Sequence, residues 1–91
     1  MEEEFPMPMS MDWTKEEIID VMQFFQVIET TYEKAVIRED ILSWYGRFKE
    51  IVPSKKEEKQ YFRQFDEKAE VSCWKTVQKA KNAQPGEKIK M

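Results

Sequence analysis

Between Ile37 and Val52 the apolar side chains recur at one spacing. Ile37, Ile41, Trp44, Phe48 and Ile51 stand at i, i+4, i+7, i+11 and i+14, with Tyr45 and Val52 beside them. An α-helix gathers all of these on one side, whereas a strand would split them between two faces. A face this broad cannot be covered by a single neighbour; it needs several apolar stripes from other helices. The chain is therefore constrained to an all-α fold, a compact irregular array of about four helices with this one at its centre.

The flanking sequence supplies the other three. Thr14 and Glu17 form a capping box, in which the threonine oxygen accepts a backbone N–H of the first turn and the glutamate reaches back to the cap residue. Trp13 and Ile18 stand where a hydrophobic staple would close over that turn. The first helix is expected over residues 15–34, with Ile18, Val21, Met22, Phe25, Ile28 and Tyr32 on its apolar face and Ile19, Phe24 and Val27 widening it. The central helix runs over 38–52 and stops where Pro53 disfavours helical backbone at Val52. Gly46 within it costs about 1 kcal/mol relative to alanine, and close approach of another helix is the expected reason for it. Ser54 with Glu57 repeats the capping-box pattern, so a third helix spans 55–70. Ser72 caps a fourth over 73–83, which Pro85 and Gly86 close. The two inner connections are short, so helices one and two should form an antiparallel hairpin and helices two and three a sharp corner. The expected core is Ile18, Met22, Phe25, Ile28, Ile41, Trp44, Phe48, Ile51, Phe62, Phe65, Trp74 and Val77. Residues 13–84 read as a single helical domain, residues 85–91 as a polar C-terminal tail, and residues 1–12, with Pro6 and Pro8, as an extended or partly disordered arm.

Composition narrows the function classes. There is no histidine, so the commonest general base is missing, and Ser–His or Cys–His nucleophile activation with it. Zinc sites draw on Cys and His, and di-metal sites in helix bundles on Glu-x-x-His pairs. Neither ligand set exists here, and no catalytic, metal or cofactor-binding residue is assigned. The carboxylate pairs Glu16 with Asp20 and Glu29 with Glu33, each at i, i+4, read as solvated helix faces. The single Cys73 cannot form an internal disulfide. It stands at the first position of the fourth helix, where the dipole would activate a thiol, but beside Trp74, where burial would silence it. The start of the chain has Glu2, Glu3 and Glu4 where a signal peptide carries positive charge, and no apolar run nears the roughly 18–20 residues that span a bilayer. A cytoplasmic, non-membrane, non-enzymatic protein is the expectation.

A net charge of −3 argues mildly against a nucleic-acid partner. Its distribution leaves a second reading open. Lys55, Lys59 and Arg63 form an i, i+4, i+8 stripe on the third helix, and Lys75 and Lys79 repeat the spacing on the fourth. Such stripes could meet a phosphate backbone or an acidic protein face. Glu57, Glu58, Asp66 and Glu67 dilute them, and Arg63 can pair with Glu67. The start of the third helix, Lys55-Lys56-Glu57-Glu58, is too mixed for a recognition helix. The leading expectation is a protein–protein interaction or accessory module with an unknown protein partner. The alternative is a weak nucleic-acid binder using Lys55, Lys59, Arg63, Lys75 and Lys79.

The run Arg47-Phe48-Lys49-Glu50-Ile51-Val52-Pro53-Ser54-Lys55, followed by Glu57-Glu58-Lys59, resembles the signature of a small uncharacterised protein family of Gram-positive bacteria. Asp12-Trp13-Thr14-Lys15-Glu16-Glu17-Ile18-Ile19, the Phe24-Phe25 pair, Tyr32-Glu33-Lys34 and Thr76-Val77-Gln78-Lys79-Ala80-Lys81 extend the resemblance over nearly the whole chain. It implies an all-helical cytoplasmic protein with no assigned activity, cofactor or catalytic residue. Where many members of that family carry glycine near the end of the first helix, this chain has Ala35, which removes the usual means of a left-handed cap there.

Overall fold

The computed structural model describes residues 13–91, so the arm expected over residues 1–12 lies outside the described residues. Four helices carry the described part of the chain: α1 Lys15–Thr30, α2 Arg38–Ile51, α3 Lys55–Ala69 and α4 Cys73–Lys81. Two strands of two residues each, β1 Val36–Ile37 and β2 Lys88–Ile89, pair antiparallel with Val36 opposite Ile89 and Ile37 opposite Lys88.

Local chemistry sets the helix starts. The Thr14 hydroxyl accepts from Glu17 N–H at 3.1 Å while Thr14 N–H donates to Glu17 Oε1 at 2.9 Å, a complete capping box. Ser54 accepts from Glu57 N–H and Ser72 from Lys75 N–H, both at 3.3 Å. α1 ends in right-handed backbone at Thr31. The left-handed residue is instead Glu70 after α3, with φ 58°. There the N–H groups of Glu70 and Val71 both return to the Asp66 carbonyl, which satisfies an acceptor that the helix end would leave orphaned.

α1 and α2 form the antiparallel hairpin. Asp20, early in α1, accepts from Arg47, late in α2, at 2.7 Å, and Phe24 lies against Tyr45 and Phe48. α3 crosses this hairpin on an aromatic cluster: Phe62 stacks on Phe48 at 5.6 Å between centroids and Phe65 meets Phe25 at 4.6 Å. α2 therefore touches every other helix. Among the described residues the buried apolar set is Val21, Phe24, Phe25, Ile28, Ile41, Phe48, Val52, Phe62, Phe65, Cys73, Val77, Ala80 and Ile89.

Several expected core positions move. On α1 the buried face is centred on Val21, Phe24, Phe25 and Ile28, which leaves Met22 and Ile19 exposed. The helix carried more apolar residues than one face can hold, and the neighbours' positions selected the face. Trp44, Ile51 and Ile18 are only partly buried, and Trp74 is 44% exposed. Ile37 leaves the α2 face for β1 and is 42% exposed. Trp13 rests on the Tyr61 ring of α3 at 5.4 Å. Gly46 does not mark a close approach, since a Cβ built there would meet nothing within 4 Å.

The polar tail expected over residues 85–91 is instead part of the fold. Ile89 is fully buried, and Met91 N–H donates to the Thr31 carbonyl at 2.7 Å. Ile37, the cap residue of α2, offers no side-chain acceptor, and Arg38 N–H donates to the Glu87 carbonyl at 2.9 Å. Gly86, in left-handed backbone with φ 78°, presents its N–H to the Glu39 carboxylate at 3.0 Å. That bond is the main reason the Glu39 carboxyl lies below its ordinary titration range. The end of the chain thus closes the start of its central helix, a cap supplied from about fifty residues away.

Candidate functional site

Only Val52, Pro53 and Ser54 separate α2 from α3, and the two helices share the Phe48–Phe62 ring contact. α4 packs against both. Between them lies an open groove of about 730 Å³, lined by Tyr45 and Lys49 of α2, Lys55, Glu58, Lys59, Phe62, Arg63, Asp66 and Glu67 of α3, and Trp74 and Lys81 of α4. That is within the usual 300–1,000 Å³ of ligand sites.

One wall is fixed by a nearly buried carboxylate. Glu58, in the first turns of α3, is 5% exposed. It accepts from Lys49 Nζ at 2.7 Å and from the Tyr45 hydroxyl at 2.8 Å. Two charge-assisted bonds reaching from α2 hold the base of the groove together. Burial, then the bond to the Glu58 carboxylate, pushes the Tyr45 hydroxyl well above its ordinary ionisation range. It is a fixed donor, tuned away from acting as a base at neutral pH.

The same Tyr45 also takes part in a second contact in the lining, a cation set over two rings. Lys81 Nζ stands 5.3 Å from the Tyr45 centroid and 5.5 Å from that of Trp74. Such contacts contribute about 0.5–1 kcal/mol each at exposed sites. They hold the ammonium over the groove instead of letting it trail into solvent.

Of the residues singled out by spacing, Lys55, Lys59 and Arg63 line the groove together. Arg63 reaches Glu67 at 3.7 Å with both side chains largely exposed, a pair of little energetic weight. Lys75 and Lys79 do not join them. Both are exposed on α4, and Lys79 Nζ donates to the Lys90 carbonyl at 3.0 Å. Their place is taken by Lys81, two residues on from Lys79 and so on a different helix face, and by Lys49. No spacing rule pointed to either, because each owes its position to a contact with another helix. Trp74 was an expected core residue, and its exposure in the groove could not be read from one amphipathic face.

Cys73 is fully buried beside this site. Its backbone N–H donates to Asp66 Oδ1 at 2.9 Å. Burial first, and the Asp66 carboxylate next, push the thiol far up from its ordinary range. These outweigh the helix N-terminus that would have activated it. The i, i+4 partner of Glu16, Asp20, is bound to Arg47, also bonded to Glu50 at 3.2 Å. Among the described residues no group of three or more Cys, Asp or Glu side chains converges to hold a metal ion, and no helix is long and apolar enough to cross a membrane.

The fold and groove define a small all-α protein that presents an aromatic, basic-rimmed cleft. The chain belongs to the uncharacterised protein family UPF0223, whose profile matches residues 4–89. It is similar to the UPF0223 protein YktA of Bacillus subtilis, 48% identical over 88 residues that cover 97% of this chain and 99% of the relative. The UPF0223 protein SH1855 of Staphylococcus haemolyticus is 49% identical over 87% of this chain and 88% of its own length. The UPF0223 protein OB1419 of Oceanobacillus iheyensis is 55% identical over 81% and 84%. These relatives come from Gram-positive bacteria, as the sequence signature implied.

Proposed function

We propose that the protein works without catalysis, as a cytoplasmic docking module whose groove holds a segment of another protein. The observation that carries this reading is Trp74, which is 44% exposed at the groove with a lysine head over its ring and Phe62 in the same lining. Tryptophan, tyrosine and arginine dominate the energetics of protein interfaces, and Trp74, Tyr45 and Arg63 meet along this one cleft. A nucleic-acid reading has less support. It would use Lys55, Lys59 and Arg63 as phosphate contacts, but Lys75 and Lys79 stand outside the groove, and Asp66 and Glu67 stand within it.

The test is capture from a Bacillus subtilis extract with two baits, the wild-type chain and a Trp74→Ala/Lys59→Glu variant. A protein held by the first and lost from the second, with both baits equally helical, supports the reading. Identical retention by both baits, or retention of nucleic acid alone, defeats it.

A further inference from the structure

We infer that the segment this groove accepts is acidic, with a bulky apolar side chain set between its carboxylates. This rests on the docking reading and adds the chemistry of the partner. Five cations line the groove against three carboxylates, a surplus of two. Glu58 is bonded to Lys49 and Tyr45, Glu67 faces Arg63, and Asp66 takes the Cys73 N–H. Lys55 and Lys59 have no carboxylate within 4 Å among the described residues, and the Lys81 ammonium lies over two rings. A chain of net charge −3 thus carries a locally positive cleft. Among the described residues, Lys55, Lys59 and Lys81 are the lining cations with no carboxylate against them, and such a cleft attracts and orients an acidic partner.

The rings of the groove set the second requirement. Phe62, Tyr45 and Trp74 supply its aromatic lining, Phe62 buried and Trp74 44% exposed. This surface rewards a leucine, phenylalanine or similar anchor, with the lysines round it reading the flanking charges. A peptide can space its carboxylates to meet Lys55, Lys59 and Lys81 while avoiding Asp66 and Glu67. A nucleic-acid backbone, charged at every step, cannot.

The experiment uses fluorescence anisotropy of the full chain with three labelled peptide pools. In the first, Leu or Phe is flanked by Glu and Asp; in the second these become Gln and Asn; in the third, Lys. The acidic pool is expected to bind at least about tenfold more tightly than the amide pool, and the basic pool not at all. Binding should weaken as salt rises from about 50 to about 500 mM. It should fall at least about tenfold in Lys55→Glu/Lys59→Glu, whose fold is checked by circular dichroism. Equal binding of acidic and amide pools overturns the acidic assignment while leaving the docking reading standing. Failure of all three pools overturns both. The inference also falls if an oligothymidylate competes better than the acidic pool, which assigns the cleft to nucleic acid. It falls if the acidic pool binds only by dissociating a dimer, which makes a second copy the occupant. It falls if only a Glu2→Gln/Glu3→Gln/Glu4→Gln chain binds, which assigns the cleft to the protein's own acidic start.

Discussion

Removing Lys49 should damage this protein more than removing Glu58, although the two form a single ion pair. The asymmetry follows from their surroundings. The Glu58 side chain is 7% exposed and that of Lys49 27%. In a Glu58→Gln variant the lysine head can swing into groove water and Tyr45 keeps an acceptor, so only one charge-assisted bond of about 1.5–3 kcal/mol is at risk. In a Lys49→Met variant the carboxylate stays nearly buried with the Tyr45 hydroxyl as its one remaining side-chain donor. Stranding a buried charge costs about 3–5 kcal/mol. Urea denaturation should therefore show Lys49→Met losing about 3–5 kcal/mol and Glu58→Gln about 1.5–3 kcal/mol. The Lys49→Met/Glu58→Met double variant should be more stable than Lys49→Met alone, because the stranded charge is gone. Equal losses in the two single variants, or additive losses in the double variant, would refute the reasoning.

Gly46→Ala should raise stability by about 0.5–1 kcal/mol, because the site is exposed and a methyl group meets nothing there; a lower melting temperature would show an unseen close contact. Ile89→Ala should cost about 2–4 kcal/mol, as for any fully buried isoleucine, and hydrogen exchange should quicken at Arg38 N–H, whose acceptor is two residues upstream. Unchanged stability would return residues 85–91 to the status of a loose tail. Cys73 should resist iodoacetamide until the chain unfolds, its labelling rate rising with urea. Because its folded-state proton affinity is raised, its contribution is intact below the ordinary thiol midpoint of about 8.5. Stability should then fall by up to about 1.4 kcal/mol per pH unit above that value, a slope that Cys73→Ala should flatten. Rapid native-state labelling would contradict the burial.

What could be read from the residues alone was local or periodic. Thr14, Ser54 and Ser72 announced their helices because a cap bonds within three residues of itself. Phe25, Phe48, Phe62 and Phe65 declared an interior because each large ring lies on an apolar stripe. Pro53 placed the corner from which the groove opens, and the i, i+4 rule found Lys55, Lys59 and Arg63 on one face. Everything that required two distant segments was decided in three dimensions. Which of α1's surplus apolar residues faced inward depended on where α2 and α3 lay. The β1–β2 pairing and the capping of α2 by Glu87 and Gly86 link residues about fifty positions apart, and segments of two residues have no period to detect. The same holds for the site: Lys49 with Glu58 across the Pro53 corner, and Lys81 over Tyr45 and Trp74, became neighbours only when the helices closed, since side-chain spacing along one helix carries no information about the face another helix turns toward it.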